Sequence, residues 1–145
     1  MELREFSADD WPWVQEWFQD ALLDRELGPI DVEWLNAVLA ERHGVQLVAT
    51  VETRPVVLIG CVWGTVQHPS HCVTDIAVDP NLRGQGLASK ALHLVLAWPR
   101  HPPTVMWTAF VNPRNTAAQS LLKRTSWRKV GVSNGMVQFE KPSSS

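Results

Sequence analysis

A strand, a glycine loop and a helix follow one another within residues 77–97, AVDPNLRGQGLASKALHLVLA. The segment before Pro80 is rich in residues that favour strands, and residues 87–98 have the apolar spacing of an amphipathic helix. A second strand-like run, VMWTAFV, occupies residues 105–111. A strand, a crossover helix and a second strand place the two strands parallel in one sheet. The chain is therefore predicted to contain a parallel strand pair.

The other elements indicate a mixed sheet. Strands are predicted at residues 2–6, 45–52, 56–67, 72–80, 105–111, 127–133 and 136–141, and helices at 11–23, 32–43, 87–98 and 115–125. Three successive strands before the glycine loop favour an antiparallel meander, and Asn134-Gly135 is typical of a tight hairpin turn of type I′. The predicted fold is α/β (α+β): one domain over residues 1–141, a tail at 142–145, and a mostly antiparallel sheet of about seven strands flanked by four helices.

The charge of the chain is unevenly distributed. Residues 1–79 hold fourteen acidic residues and four arginines, whereas residues 80–139 hold eight basic residues and no acidic one. This asymmetry favours an anionic ligand for the second half and a cationic ligand for the first, and chance together with solvated helix faces is the alternative explanation. The basic residues lack interleaved aromatic side chains, which argues against nucleic-acid binding. Cys61 and Cys72 do not form a disulfide framework, and no segment has the pattern of a signal peptide or a membrane span, so we expect a cytoplasmic protein.

The glycine loop is a candidate anion site. Gly84 and Gly86 precede a helix whose first amides have no intrahelical acceptor, and glycine lets a phosphate approach the backbone while Arg83 supplies positive charge. On these residues alone, a phosphate site and a simple strand-to-helix turn are equally good interpretations. The loop lacks the lysine and hydroxyl residue of a Walker motif. It also lacks the third glycine and the later acidic residue of a dinucleotide-binding fingerprint.

The context of the loop resembles a known motif. The segment VDPNLRGQGLASKAL is similar to the acyl-coenzyme A pyrophosphate loop of the GNAT-type N-acyltransferases. Arg83, Gly86 and Ala88 match its pattern of Arg or Gln, any two residues, Gly, any one residue, and Gly or Ala. A second segment, NPRNTAAQSLLKRTSW, is similar to the asparagine-containing helix of that family, with Asn115 and Leu121 in place. The element order of nearly the whole chain also resembles that fold, which implies a sheet splayed at its central parallel pair.

The resemblance implies that acetyl-coenzyme A is the cosubstrate. In the family the loop amides hold the pyrophosphate, the strand before the loop hydrogen-bonds the pantetheine arm, and the asparagine lies beside that arm. The implied residues are Ile76, Ala77, Val78, Arg83, Gly84, Gln85, Gly86, Leu87, Ala88 and Asn115. The implied activity is transfer of an acetyl group from acetyl-coenzyme A to a primary amine by direct attack in a ternary complex. A coenzyme-A-binding sensor or partner-binding module with little catalysis is the alternative.

The catalytic groups are less clearly marked. An ammonium acceptor must lose a proton before it attacks, and Asp75 is a candidate base or, equally, a structural carboxylate. Strand alternation predicts that Asp75 shares a face with Val73 and Ala77. The backbone amide of Val78 is a candidate donor to the oxyanion. Many family members carry a tyrosine that can protonate the leaving thiolate at the position of Leu122, whereas this chain contains no tyrosine.

The resemblance implies that the region of the first two predicted helices borders the acceptor channel, although core packing explains most of its tryptophans. The aromatic and acidic side chains of this region that suit an amine are Trp11, Trp13, Trp17, Trp34, Asp20, Asp24, Glu26, Asp31 and Glu33. The acceptor is therefore expected to be a small-molecule or peptide amine. No metal is expected, because His68 and His71 lack further ligands at useful spacing and are interpreted as a solvated turn. An edge strand in the last hairpin offers pairing with a second copy in a homodimer.

Overall fold

The computed structural model describes residues 1–143 and shows a seven-stranded mixed sheet. The strands are β1 (Glu2–Glu5), β2 (Gly44–Val51), β3 (Arg54–Val62), β4 (His71–Val78), β5 (Met106–Val111), β6 (Arg128–Ser133) and β7 (Met136–Pro142). Their spatial order is β1-β2-β3-β4-β5-β7-β6. All neighbours are antiparallel except β4 and β5, which are parallel. The predicted fold class and parallel pair are confirmed.

Five α-helices lie within residues 1–143, one more than predicted. They are α1 (Trp11–Trp17), α2 (Ala21–Leu27), α3 (Val32–Ala40), α4 (Leu87–Leu96) and α5 (Thr116–Arg124). The extra helix arises because the helix predicted over residues 11–23 is broken after Trp17. The Asp20 carboxylate accepts a hydrogen bond from the Leu23 amide and so caps a new helix, α2.

The sheet separates two apolar cores. One face carries Val57, Ile59, Val73 and Phe139 and packs against α4 and α5. The opposite face packs against α1, α2 and α3 through Val48, Leu58, Ala77 and other buried side chains. Most of the N-terminal tryptophans lie in this second core, as expected for amphipathic helices on a sheet. We call the side of the sheet under α1–α3 the N-terminal face.

Element ends differ from prediction by a few residues. The helix predicted over residues 32–43 ends at Ala40, and β2 begins at Gly44. The last strand reaches Pro142, and the Ser143 amide donates to the Val105 carbonyl oxygen, so these two residues of the predicted tail belong to the sheet region. Residues 144–145 lie outside the described part of the chain. No helix within residues 1–143 has the length and hydropathy needed to cross a lipid bilayer.

Candidate functional site

The parallel pair of strands opens partway along its length. β4 and β5 are in register only from His71 opposite Trp107 to Val73 opposite Ala109. Beyond Val73, β4 remains paired with β3 on its other side as far as Val78. The open cleft between β4 and β5 is the splay that the sequence resemblance implies.

The free edge of β4 presents backbone groups to this cleft. The Asp79 amide donates to the Val56 carbonyl oxygen on β3 at 3.0 Å. Because backbone groups alternate along an antiparallel strand, the amide and carbonyl of Ala77 also face β3. The amides and carbonyls of Ile76 and Val78 therefore face the cleft, where β5 has diverged.

A β-bulge at Thr74 changes which residues share a face. Gly60 of β3 is opposite Asp75, whereas the next residue, Cys61, is opposite Val73, so Thr74 is the extra residue. Val73 consequently packs in the core with α4, while Asp75 lies on the N-terminal face with Ala77. The predicted face of Asp75 was therefore half wrong: it shares a face with Ala77 but not with Val73.

The glycine loop connects β4 to α4 beside the cleft. Gly84 and Gly86 have φ angles of +80° and +73°, which favour glycine, and a Cβ at either position would meet open space. Gly86 is the N-cap of α4 and has no side chain with which to cap it. Among residues 1–143, no protein acceptor is hydrogen-bonded to the amides of residues 83–89. The loop thus exposes a set of unpaired donors at a helix N-terminus, which favours an anion.

Arg83 is paired across the molecule. Its guanidinium donates two hydrogen bonds to the Asp20 carboxylate, at 2.5 and 3.2 Å. This hydrogen bond, together with those from backbone amides, lowers the pKa of Asp20, and the same contact raises the pKa of Arg83. The ion pair joins the glycine loop to the start of α2 and neutralises much of the charge of Arg83.

Two adjoining cavities lie on the N-terminal face. The larger has a volume of about 260 Å³ and the smaller about 180 Å³, and both are lined by Trp34, Thr74 and Asp75. Phe18, Leu27, Ile30 and Leu58 give the larger cavity apolar walls, and Glu26 adds a second carboxylate. No basic side chain of the described residues lines it. The larger cavity therefore suits a small cation with an apolar body.

Asp75 is partly buried where the two cavities meet. The Gln46 side-chain amide donates to Oδ2 of Asp75 at 2.9 Å, and the Thr74 hydroxyl donates to Oδ1 at 2.9 Å. Burial raises the pKa of Asp75, and these two hydrogen bonds act in the opposite direction. A carboxylate whose pKa is raised in this way is better matched to proton abstraction near neutral pH.

The second sequence motif forms the start of α5. Asn115 is the N-cap, and its side-chain oxygen accepts from the Ala118 amide at 3.1 Å, which leaves the side-chain NH₂ as a donor for another group. Leu122 is only 3% exposed and is part of the core. Ser120 and Ser126, the neighbouring hydroxyl groups, are both exposed. The structure brings no hydroxyl to the place of the family tyrosine among these residues.

His71 was wrongly assigned to a solvated turn. It is 2% exposed and is the first residue of β4. Its Nδ1 accepts from the Gly64 amide at 2.8 Å, and its Nε2 lies 2.7 Å from the Pro102 carbonyl oxygen. Within residues 1–143, no three His, Cys, Asp or Glu side chains are grouped as a metal site. The role of His71 is therefore in packing at the closed end of the parallel pair.

Two residues of the site, Gln46 and Gly60, were missed at the level of sequence. Gln46 is separated from Asp75 by 29 residues, and its position in an alternating strand resembles that of any partly exposed polar residue. Gly60 interrupts an otherwise apolar run, and an isolated glycine in a strand is a signal of close approach by another group. The isolated glycine could be recognised in the sequence, but the sequence alone does not identify the group that approaches it.

Comparison with known proteins agrees with the geometry. The model of the acetyltransferase (GNAT) family matches residues 2–126. No curated protein sequence matches the chain.

Solved structures share the whole fold at low sequence identity. An acetyltransferase from Thermus thermophilus is 17% identical, with a TM-score of 0.82, covering 97% of this chain and 96% of that one. Spermidine N-acetyltransferase from Vibrio cholerae, solved in complex with CoA and spermine, is 15% identical, with a TM-score of 0.75 and coverages of 98% and 95%. Aminoglycoside N(6′)-acetyltransferase from Legionella pneumophila is 14% identical, with a TM-score of 0.76 and coverages of 98% and 94%.

Proposed function

Because the chain belongs to the GNAT acetyltransferase family, we propose that it transfers an acetyl group from acetyl-coenzyme A to a primary amine by direct attack in a ternary complex. One arrangement carries the proposal: an open strand cleft is bordered by a loop of unpaired amides, and a carboxylate-lined cavity lies on the N-terminal face of the same strand, β4. An anionic cosubstrate and a cationic acceptor can thus meet at β4 without sharing a binding surface. Positioning two substrates in this way is a large part of catalysis.

The cosubstrate is held mainly by backbone groups. The amides from Arg83 to Ala88 bind the pyrophosphate, because they lack protein acceptors and α4 directs its positive dipole end toward them. The cleft-facing backbone groups of Ile76 and the backbone carbonyl of Val78 pair with the pantetheine arm, which takes the place of the missing β5 neighbour. The Asn115 side-chain NH₂ supplies a further donor to that arm.

The reaction needs one base and one oxyanion donor from the chain. Asp75 accepts a proton from the acceptor ammonium, and the free amine then forms a C–N bond with the thioester carbonyl carbon. The Val78 amide donates to the carbonyl oxygen as negative charge develops on it. The C–S bond breaks and the thiolate leaves, while the attacking nitrogen gives its second proton to water. Water also protonates the thiolate, since Leu122 provides no acid.

The acceptor is a small amine that enters the larger cavity. Glu26 and Asp75 favour a positive charge, and Trp34 and Phe18 provide aromatic surface for it or for its apolar body. The cavity is smaller than those that hold drug-sized ligands, which run from about 300 Å³ upward. Fold neighbours that act on spermidine and on aminoglycosides also have amine acceptors.

Calorimetric titration with acetyl-coenzyme A tests the cosubstrate site. Gly86→Glu should abolish binding, because it adds a negative charge beside the pyrophosphate at a left-handed backbone position. Gly135→Glu is the matched control, since Gly135 also has a positive φ in open space but lies in the β6–β7 turn. Loss of binding in both variants, or in neither, contradicts the site.

A second candidate function is coenzyme A binding without turnover. The buried Leu122 in place of the family tyrosine is the observation that favours it. A panel of primary amines, assayed for coenzyme A release, separates the two functions. Release that requires both an amine and Asp75 supports the transferase, whereas tight binding without release for any amine supports the binding module.

A further inference from the structure

A polar row crosses three strands of the otherwise apolar N-terminal face. Gln46 of β2 is opposite Gly60 of β3, and Gly60 is opposite Asp75 of β4. Val48, Leu58 and Ala77, the next residues along this face, are buried and apolar. The side chains of Gln46 and Asp75 therefore contact each other over Gly60, on a face whose neighbouring positions hold apolar side chains.

Gly60 is what permits the contact. A Cβ at this position would collide with Oδ1 of Asp75 and would lie 2.8 Å from both the Gln46 side-chain oxygen and the Thr74 hydroxyl. A side chain at this position would therefore displace the groups that now let the Gln46 amide donate to Oδ2 of Asp75 at 2.9 Å. Both carboxylate oxygens of Asp75 are thereby given one donor each, from Gln46 and from Thr74.

We propose that Gln46 is a positioning residue, which holds the Asp75 carboxylate in one orientation between the two cavities and keeps it ionised in a partly buried place. The catalytic part of this inference rests on the proposed function, in which Asp75 is the base. Gln46 touches neither substrate in this role and acts through Asp75 alone. Its partner Gly60 clears the space that the contact needs.

Other groups around Asp75 do not replace this donor. The titratable groups that face it are Glu26 on α2, Glu41 after α3, Cys61 on β3 and Cys72 on β4. Burial raises the pKa of both thiols, so they stay neutral. Glu26 and Glu41 are carboxylates, which offer acceptors and no donor to Asp75 when ionised. Among the described residues, 1–143, only the hydrogen bonds from Gln46 and Thr74 favour the ionised carboxylate, which burial disfavours.

The test follows the protonation of Asp75 in two independent ways. Gln46→Met removes the donor at nearly constant volume, and Gln46→Glu places a second carboxylate across Gly60. The matched control is Gln138→Met, on β7 opposite Phe110 and Gly131 and remote from the Asp75 hydrogen bonds. The pKa of Asp75 is read from carboxyl ¹³C NMR of the cofactor-free protein, and kcat/KM is measured against pH with acetyl-coenzyme A and an accepted amine.

We expect the Asp75 pKa and the acid limb of the rate profile to move together. Loss of one hydrogen bond to a charged group corresponds to a rise of about one pH unit in Gln46→Met. A larger rise is expected in Gln46→Glu, because two neighbouring carboxylates resist full ionisation. The KM for acetyl-coenzyme A should stay constant, kcat should recover at high pH, and Gln138→Met should match the wild type.

Four results would overturn the inference. Three are an unchanged Asp75 pKa in both Gln46 variants, a raised pKa with an unmoved acid limb, and an equal effect of Gln138→Met. The fourth is a loss of activity that no pH restores, which would show a structural role only. If the wild type acetylates no amine, the proposed function fails, and the NMR titration still decides whether Gln46 controls the ionisation of Asp75.

Discussion

The Arg83 guanidinium and the Asp20 carboxylate form a two-hydrogen-bond ion pair that links the glycine loop to the N-cap of α2. The two residues are 63 positions apart in the chain. Asp20 places negative charge next to a loop that we assign to a pyrophosphate. The ion pair therefore reduces the positive charge of the glycine loop, in addition to linking this loop to α2.

Removing the negative charge of Asp20 should strengthen acetyl-coenzyme A binding. Asp20→Ser retains an N-cap oxygen for α2 but leaves the charge of Arg83 uncompensated. We expect the Kd for acetyl-coenzyme A to fall by about two- to fivefold at low salt, with a smaller effect at high salt. Glu5→Gln, which breaks the exposed Arg100–Glu5 pair beyond the other end of α4, is the control. An unchanged or higher Kd in Asp20→Ser would show that Arg83 does not contribute charge to the site.

Glu26 should govern acceptor binding and leave the cosubstrate unaffected. Glu26→Gln removes one of the two carboxylates of the larger cavity, so we expect the KM for a cationic amine to rise by about tenfold. The KM for acetyl-coenzyme A should not change. Asp24→Asn, an exposed acidic residue two positions earlier that does not line the cavity, should have no effect. Equal effects of the two substitutions would mean that the overall negative charge of this region, and not the lining of the cavity, determines the KM for the amine.

Asp75→Asn should abolish turnover and stabilise the fold at neutral pH. Burial raises the pKa of Asp75 in the folded protein. Above the ordinary carboxyl pKa, ionisation of Asp75 therefore lowers the stability of the wild type, whereas an asparagine has no charge to bury. We expect the Tm of Asp75→Asn to exceed that of the wild type by about 3 °C at pH 7–8. The difference should shrink as the pH falls toward the unfolded-state pKa of 3.8. Thermal unfolding across this range provides the measurement, and a difference that grows on acidification would contradict the assignment.

His71 should make the protein sensitive to mild acid. Burial lowers the pKa of His71, and its Nδ1 already accepts a hydrogen bond from the Gly64 amide, so a second proton has no place in the folded state. Stability should therefore fall as the pH drops below about 6.5, where the unfolded chain takes up a proton that the folded chain does not. We expect His71→Phe to lower the Tm at pH 7 and to flatten this pH dependence. His68→Asn, in the exposed neighbouring turn, should change neither quantity.

Most of the fold could be predicted because the patterns that specify it lie within short stretches of the sequence. The alternation of β2 to β4, the Asn134-Gly135 turn and the glycine loop each depend on residues close together in sequence. Asn134 and Gly135 indeed have φ angles of +52° and +77°, as a type I′ turn requires. The break between α1 and α2 was missed because the apolar stripe continues across it, and only the capping hydrogen bond of Asp20 decides where a new helix starts.

The glycine loop that we propose for the cosubstrate could be recognised in the sequence, whereas the cavity that we propose for the acceptor could not. A loop motif is contiguous, and its amides belong to the backbone, so residues 83–88 and their helix could be named in advance. The surroundings of Asp75 depend instead on contacts between β2, β3 and β4. Its hydrogen bond to Gln46 needs the register of two strand pairs and the absence of a side chain at Gly60, which no local pattern reports.

The extra residue at Thr74 also affects how this strand is compared with its relatives. Before Thr74, odd-numbered Val73 belongs to the α4 core, and after it the even-numbered Ile76 and Val78 do. Consider a gapless alignment of β4 with a regular strand. If it is anchored on Val73, Asp75 is aligned with a position that faces the α4 core. If it is anchored on Ile76, Val73 is aligned with a position on the N-terminal face. At 14–17% identity, alignment scores alone offer little to correct such a slip. Where a relative has a regular strand here, the position equivalent to Asp75 should therefore be assigned with the gap placed at Thr74.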